Sequence, residues 1–311
     1  MDLAKLFEDF PSEEELLNII MHASTTVWES ELVEKDIENW LNNFTGDVYE
    51  LKHERLLALW LLSHFTYYNQ HEVRHLCRVI YSDLLHLIVN GLDTSKTSVD
   101  DAIQFFFSKS NIISPEKTSG SGGFIAYYFR HENRLPMTLF NFSMENINDS
   151  IENIILIDDV TMTKGELGQM HRFLTGATAK YPKKKFYLLT LLSSEAAFNH
   201  LKSTFNLEIV TAIKLDDRDK AFHPESDIFS SFKTLTDLAQ KFAEHYGKKI
   251  NIPDVEPLGF GNGQYTFGFF YNTPDNSLPI FWGQINGWTP ILRRYHKNYR
   301  TQTYLHHERF V

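Results

Sequence analysis

Short apolar runs that alternate with helical segments constrain the fold of this chain most. The runs "IILI" (154–157), "KFYLLTLL" (185–192) and "LEIVTAIKL" (207–215) have the length of strands, and helix-like segments separate them at 164–180 and 194–204. Parallel strands joined by crossover helices give this alternation, because the helices cover both faces of the sheet. The sequence therefore predicts an α/β fold built on a doubly wound, mainly parallel sheet.

The first part of the chain has a different pattern. Residues 12–92 predict helices, because apolar positions recur there at helical spacing. Ser12 is placed as an N-cap with Glu15 closing a capping box, and "RLLALWLLSHFTYY" predicts a buried helix. We expect an N-terminal helical subdomain at 1–98. The α/β domain, with an aromatic and turn-rich C-terminal region, is expected at 99–311.

Further helices are expected near glycines. "FIAYYFR" follows a glycine-rich run and predicts a helix, as does the segment 228–246. Gly247 is the expected end of the latter helix, and Gly91 ends the helix that contains "VRHLCRVIYSDLLHLI".

Composition and charge narrow the class of protein. Hydrophobic residues at 42% and charged residues at 23% are ordinary for a folded protein. The net charge of −10 argues against nonspecific electrostatic binding of nucleic acid, although a local basic patch stays possible. The single cysteine, Cys77, excludes an intramolecular disulfide, and the start lacks the features of a signal peptide. We expect a cytoplasmic protein with no membrane segment.

Two neighbouring aspartates follow the run at 154–157. Asp158 and Asp159 belong to "NIILIDDVTMTKGEL" (153–167), and ligands of open α/β sheets bind beyond the carboxyl ends of the strands. Since burial of unpaired carboxylates is costly, both are expected to face a solvent-filled mouth. There they accept hydrogen bonds from sugar hydroxyls or help to hold a divalent cation. The alternative is a strand end at which one acid caps the next helix.

The loop after the aspartates has the composition of an anion site. Thr161, Thr163, Lys164 and Gly165 supply two hydroxyls, an ammonium and a flexible backbone just before a predicted helix. The N-terminus of a helix favours phosphate, because its N–H groups and dipole point at the ligand. Acids for a sugar beside such a loop predict a site for a phosphorylated sugar.

"IILIDDVTMTKGEL" resembles the phosphoribosyl-diphosphate-binding motif of the type I phosphoribosyltransferases. The resemblance implies that Asp158 and Asp159 receive the ribose hydroxyls and that residues 161–165 receive the 5′-phosphate. This chain departs from the family loop, because Lys164 displaces the glycine by one position and Glu166 lies near the expected phosphate. The departure bears more on catalytic activity than on the ribose contact.

A glycine- and serine-rich run lies upstream of the acids, in the order that this family uses. Its members are Ser119, Gly120, Ser121, Gly122 and Gly123. The resemblance implies that this loop holds the diphosphate together with Mg²⁺. Glycines permit close backbone approach, but such runs are also common as plain loops.

The resemblance extends over most of the chain. The helical front, "KLDDRDKAF" and "NTPDNSLPIFW" are similar to phosphoribosyltransferase-like conflict effectors of bacterial antiviral and retron systems. This resemblance implies an effector that uses phosphoribosyl diphosphate and Mg²⁺ to modify an unknown acceptor. It also implies possible partners, namely a reverse transcriptase and its DNA or RNA product. Separately from the resemblance, a homo-oligomer is an open alternative. The alternative is a non-catalytic sensor of the same ligand or of a nucleotide.

Other charged residues are candidates with open alternatives. Arg130 is a candidate ligand or a C-terminal partner of the helix dipole. Asp217 and Arg218 follow a predicted strand and form a nucleotide contact, a metal contact or a surface turn. Arg293 and Arg294 open a basic, aromatic tail that is either solvated or in contact with diphosphate or nucleic acid.

Two further patterns have simpler structural explanations beside a functional one. "HEVRH" (71–75) matches the zinc-protease pattern letter for letter, but Arg74 introduces a cation and no third ligand stands out. A solvated helix face is the favoured interpretation. The aromatics of "LPIFWGQINGW" are expected in the core, with base stacking as the alternative.

Overall fold

The structure is a computed structural model that describes residues 3–90, 92–93, 95–115, 121–141, 143–162 and 168–294. The helices are α1 (Leu3–Leu6), α2 (Glu13–Thr26), α3 (Glu34–Leu41), α4 (Leu51–Ser63), α5 (Gln70–Val89), α6 (Val99–Ser108), α7 (Ser121–Glu132), α8 (Gln169–Lys180), α9 (Glu195–Thr204), α10 (Thr236–Ile250) and α11 (Pro279–Trp282). The strands are β1 (Thr66–Tyr68), β2 (Ser110–Ile113), β3 (Phe140–Asn141), β4 (Asn153–Thr161), β5 (Lys185–Ser194), β6 (Leu207–Leu215) and β7 (Phe267–Phe269).

Five strands form one parallel sheet in the order β3-β2-β4-β5-β6. The predicted α/β fold with a doubly wound, mainly parallel sheet is confirmed. The chain passes from β2 to β3 on one side and then crosses back to β4 on the other. The sheet therefore has its topological switch point between β2 and β4, where open α/β sheets bind ligands.

The central strand β4 is buried on both faces. Ile155 and Ile157 pack on one face in a cluster that includes residues of α5 and α7. Ile154 and Leu156 pack on the other face with Leu174 of α8. Four consecutive apolar side chains, at 154–157, are typical of a strand that is buried on both faces.

The N-terminal helices share a separate core with the C-terminal segment. Buried residues between Phe10 and Tyr67 pack in one cluster with residues of 221–292. The Trp40 indole N–H donates to the Ile280 carbonyl at 2.7 Å, and β1 pairs in parallel with β7. Helix α5 instead packs on the sheet. The division into domains at residue 98 stays a prediction.

Several elements differ from the sequence-based expectation. Strand β4 was expected to end at Ile157 but continues through both aspartates to Thr161. Thr66–Tyr68 was expected in a helix but forms β1, because its backbone pairs with β7, 200 residues along the chain. Strands β2, β3 and β7 were not predicted. The capping box of Ser12 and Glu15 and the helix of "FIAYYFR" are confirmed.

Gly247 does not end its helix. Helix α10 continues to Ile250, and Asn251 caps it in the left-handed conformation with φ 55°. A β-carbon on Gly247 would lie 2.0 Å from the Pro257 carbonyl oxygen, so the glycine allows a close approach of two segments. Gly91, the other expected end, lies outside the described residues.

No helix in the described part of the chain combines the length and the apolar character that crossing a membrane requires.

Candidate functional site

The two aspartates lie near the carboxyl end of β4 and differ in burial. Asp158 is partly exposed, whereas Asp159 is 6% exposed. Both aspartates line the cleft described below, but Asp159 is nearly enclosed by the protein, so the expected solvent-filled mouth describes Asp158 better than Asp159. The Tyr271 hydroxyl donates to Asp159 Oδ2 at 3.2 Å and so compensates part of the burial cost.

The charge of Asp159 affects the ionisation of Tyr271. Burial of the Tyr271 hydroxyl, followed by the neighbouring charge of Asp159, raises the pKa of this tyrosine well above its usual value. Tyr271 therefore stays a hydrogen-bond donor at neutral pH. It holds the Asp159 carboxylate in one orientation.

Helix α7 begins directly against Asp158. A β-carbon on Gly122 would lie 2.6 Å from Ser114 Oγ and 3.1 Å from Asp158 Oδ1. A side chain at this position would displace the Ser114 hydroxyl and crowd Asp158, and the glycine thus brings the first turn of α7 close to the switch point of the sheet. Ser114 follows β2, and its buried hydroxyl has no hydrogen-bond partner among the described residues.

A cleft of about 300 Å³ opens at this point. Asp158, Asp159, Thr161 and Ser121 line it from the sheet and from α7. Thr161 is 5% exposed, and within the described part of the chain its buried hydroxyl lacks a partner. Since buried polar groups are normally hydrogen-bonded, this hydroxyl points to a ligand.

The N-terminus of α8 forms another wall of the cleft. Gly168 at the N-cap position and Gln169, Met170 and Arg172 in the first turns line it. Backbone N–H groups at such an end favour an anion. Some predicted residues of the two loops lie outside the described residues, namely Ser119, Gly120, Thr163, Lys164 and Gly165. Gly123 lies in the first turn of α7.

The C-terminal segment forms a further wall of the cleft, and among its lining residues only Arg294 is a candidate from the sequence, with diphosphate contact as one of the alternatives. Asn272, Asp275 and Arg294 line it. The Arg294 side chain is 15% exposed, donates to Asp275 Oδ2 at 2.9 Å and stacks over Trp282 at 4.7 Å. The sequence leaves Arg293 and Arg294 either solvated or in contact with diphosphate or nucleic acid, and their positive charge is the signal that points to the second alternative.

Three predicted residues lie apart from this cleft. Arg130 is in the last turn of α7, about 13 Å along the helix from Ser121. Asp217 lines an adjoining cavity beyond β6. Arg218 is paired with Asp216 at 2.8 Å on the surface. The structure therefore brings together only part of the predicted set.

The cleft contains oxygen ligands of the kind that bind a hard cation such as Mg²⁺. Two carboxylates with phosphate oxygens of a ligand are a common set for Mg²⁺, and the buried Thr161 hydroxyl adds an unused oxygen beside them. No group of three or more His, Cys, Asp or Glu in the described ranges is arranged for a metal.

The zinc alternative at 71–75 is not supported by the structure. Glu72 accepts from the Asn69 N–H at 2.9 Å in a capping box, and Arg74 is paired with Glu132 at 2.6 Å. His71 and His75 lie on an exposed helix face, as the simpler interpretation predicted.

The aromatic residues of "LPIFWGQINGW" belong to the core, as expected. Phe281 and Trp282 are at most 1% exposed, and Trp288 is 8% exposed. Their burial leaves no face for stacking on a base.

The fold and the cleft define a phosphoribosyltransferase-like α/β protein. The chain belongs to the PRTase-CE family, whose model matches residues 37–294. A comparison with curated proteins found no match. Among solved structures, the chain is similar to the Helicobacter pylori xanthine-guanine-hypoxanthine phosphoribosyltransferase, with 12% identity and a TM-score of 0.31. That likeness covers 50% of this chain and 86% of the other.

Proposed function

We propose that this protein binds phosphoribosyl diphosphate with Mg²⁺ and transfers the phosphoribosyl group to an acceptor. The observation that carries the proposal is the meeting of Asp158, Asp159 and the unpaired Thr161 hydroxyl in one cleft, between the N-termini of α7 and α8. Acids suit the ribose hydroxyls, and helix N-termini suit its phosphates.

Each residue of the cleft has a role in this proposal. Asp158 and Asp159 accept hydrogen bonds from the ribose hydroxyls, and Tyr271 fixes Asp159. Thr161 and the start of α8 receive the 5′-phosphate, while Ser121 and Arg294 face the diphosphate. The C1–O bond to diphosphate breaks and its electron pair leaves with diphosphate. The acceptor forms the new bond to C1 and releases a proton. Catalysis then rests on positioning and charge neutralisation.

Asp158 and Asp159 are the residues that would hold Mg²⁺ together with the substrate. The ion supplies positive charge that stabilises the departing diphosphate.

A specific observation favours a second candidate function, a non-catalytic sensor. Asp158 lies on the sheet, whereas Asp275 lies in the segment that shares a core with the N-terminal helices, and Arg294 stacks over Trp282 of that core. A ligand that bridges the two walls would shift one relative to the other and alter the surface presented to a partner.

Binding and turnover separate the two functions. Calorimetry with phosphoribosyl diphosphate and Mg²⁺ is followed by a diphosphate-release assay with cell extract. Asp158→Asn is expected to weaken binding about tenfold or more, because it removes a charged acceptor. The exposed Asp149→Asn is the matched control and should bind normally. Binding without diphosphate release supports the sensor, and absence of binding contradicts both functions.

We also propose, from the family resemblance alone, a cytoplasmic effector of antiviral defence that a reverse transcriptase and its nucleic-acid product hold inactive. Deleting the gene from a defence system and measuring phage plating tests this role. Unchanged plating contradicts it.

A further inference from the structure

A second cavity adjoins the cleft. It has a volume of about 520 Å³ and lies beyond the carboxyl ends of β5 and β6. It shares Met162, Phe260 and Asn276 with the cleft of Asp158. A molecule in this cavity would therefore lie next to a sugar held in the cleft. The following inference rests on the proposed function, in which C1 of the sugar in the cleft is the carbon that reacts.

The walls of this cavity carry an excess of negative charge. Four carboxylates line it, from Glu195, Asp216, Asp217 and Glu256, against one ammonium from Lys220. Lys220 lies 2.6 Å from Asp217, and the guanidinium of Arg218 lies 2.8 Å from Asp216.

Two carboxylates remain after these pairs are counted. Glu195 and Glu256 have no ion-pair partner in the described part of the chain, and both are exposed. Hydrogen bonds from Lys220 and Arg218 hold the pKa values of Asp217 and Asp216 below their usual range, so both acids are ionised at neutral pH.

The remaining lining is apolar and aromatic. Met162, Leu215, Phe260 and Tyr265 form it, and Tyr265 is 3% exposed. Such a surface accommodates the methylene stem of a long amine while the charged head reaches carboxylates. A phosphate in the same place would meet like charges and lose its hydration without compensation.

We infer that this cavity holds the acceptor and that the acceptor is an aliphatic amine that carries positive charge and no phosphate. A polyamine and a lysine side chain share this chemistry. In the transfer, the ammonium first loses one proton to solvent. The nitrogen lone pair then forms the C1–N bond while the C1–O bond breaks and its electron pair leaves with diphosphate.

Amine binding is measurable without the sugar donor. Calorimetry with the full chain uses spermidine and, separately, a lysine-containing peptide, each at about 20 mM and about 200 mM salt. Glu195→Gln and Asp217→Asn are expected to weaken spermidine binding about fivefold each, and high salt should weaken it further. Glu244→Gln, an exposed acid paired with Lys248 on α10, is the matched control and should bind like the wild type.

A second arm measures turnover. With phosphoribosyl diphosphate and Mg²⁺ present, diphosphate release is compared for spermidine, the lysine peptide, free adenine and AMP. The inference predicts release with one or both amines, and the responding amine identifies the source. Release with adenine or AMP alone would overturn it, as would spermidine binding that neither cavity variant changes.

The outcomes separate this inference from the proposed function. If the protein binds phosphoribosyl diphosphate but no amine, the assignment of the cavity is wrong and the sugar site stands. If it binds spermidine through Glu195 and Asp217 but no phosphoribosyl diphosphate, the cavity is an amine site and the proposed function is wrong.

Discussion

Neighbouring aspartates in the sequence have different environments in the fold. Asp158 is partly exposed and touches the start of α7, whereas Asp159 is buried and accepts a hydrogen bond from Tyr271. Both line the cleft, but Asp159 is nearly enclosed by the protein. One acid is thus available to a ligand with little rearrangement, and the other is fixed in place by the C-terminal segment.

Tyr271→Phe removes the donor to Asp159. We expect the free energy of unfolding at pH 7 to fall by about 1–3 kcal/mol, because a buried carboxylate loses a hydrogen bond. The pKa of Tyr271 is raised by burial and by Asp159, so its contribution is present below pH about 10 and is lost as the pH rises through the folded-state pKa. Denaturant unfolding from pH 7 to 11 should show a smaller alkaline loss in the variant.

Tyr127→Phe is the control for that measurement, since Tyr127 is 54% exposed. An alkaline profile of Tyr271→Phe that matches the wild type would contradict the assigned role.

Arg294 lines the cleft, as does Arg172, and its positive charge suits a diphosphate. Arg294→Gln should weaken phosphoribosyl diphosphate binding by about 10- to 100-fold, because charge-assisted hydrogen bonds are lost. Ribose 5-phosphate, which lacks the diphosphate, should be affected far less. Arg293→Gln is the matched control, because Arg293 is 65% exposed and lies near Glu31 at 3.5 Å. An equal loss of affinity for the two ligands would contradict a contact between Arg294 and the diphosphate.

At the scale of elements, glycines decide how closely α7 and α10 approach their neighbours. Gly122 lets α7 touch Ser114 and Asp158, and Gly247 lets α10 touch Pro257. The partners lie in other elements or loops, Ser114 and Asp158 for Gly122 and Pro257 for Gly247, so helical and strand patterns identify the glycine but not its partner.

Gly122→Ala tests the close approach at the site. Its methyl group would force α7 away from β4, and we expect a loss of about 1–3 kcal/mol of stability together with weaker ligand binding. Gly176→Ala in α8 is the control, because no atom lies within 4 Å of the added carbon. It should stabilise the protein by about 0.5–1 kcal/mol. Thermal unfolding of both variants distinguishes the outcomes, and equal stability for the two would contradict the packing argument.

The sequence predicts long elements and local caps better than contacts between distant segments. Strands β5 and β6 are apolar runs bounded by polar residues, and "LEIVTAIKL" coincides with β6. Strand β1 has three residues and exists because of its pairing with β7, so helical periodicity around it was misleading. In the site, Asp158 and Asp159 follow from the strand pattern, whereas Arg294 reaches the cleft only through tertiary packing on Trp282.

At the scale of the whole molecule, the N-terminal helices and residues of 221–292 form one core beside the sheet. The segment 221–292 supplies Asp275 to the cleft, and Arg294, which follows it, stacks over Trp282 of the same core and also lines the cleft. The N-terminal helices are therefore connected to the candidate site through one packed core.

Trp40→Phe tests this link. The variant loses the hydrogen bond to Ile280 and leaves unfilled space in a fully buried position. We expect the free energy of unfolding to fall by about 1–3 kcal/mol. The unfolding midpoint should decrease by the same amount whether it is followed by far-ultraviolet circular dichroism, which reports on the sheet and helices, or by tryptophan fluorescence. A lower midpoint by fluorescence alone would contradict the link, because it would show that this core unfolds independently of the sheet.

The most direct test of the central claim is a crystal structure of the protein with ribose 5-phosphate bound. We expect the ribose hydroxyls within hydrogen-bond distance of Asp158 and Asp159, and the phosphate at Thr161 and the N-terminus of α8. A sugar phosphate bound elsewhere, or bound here with its hydroxyls turned away from both aspartates, would contradict the account.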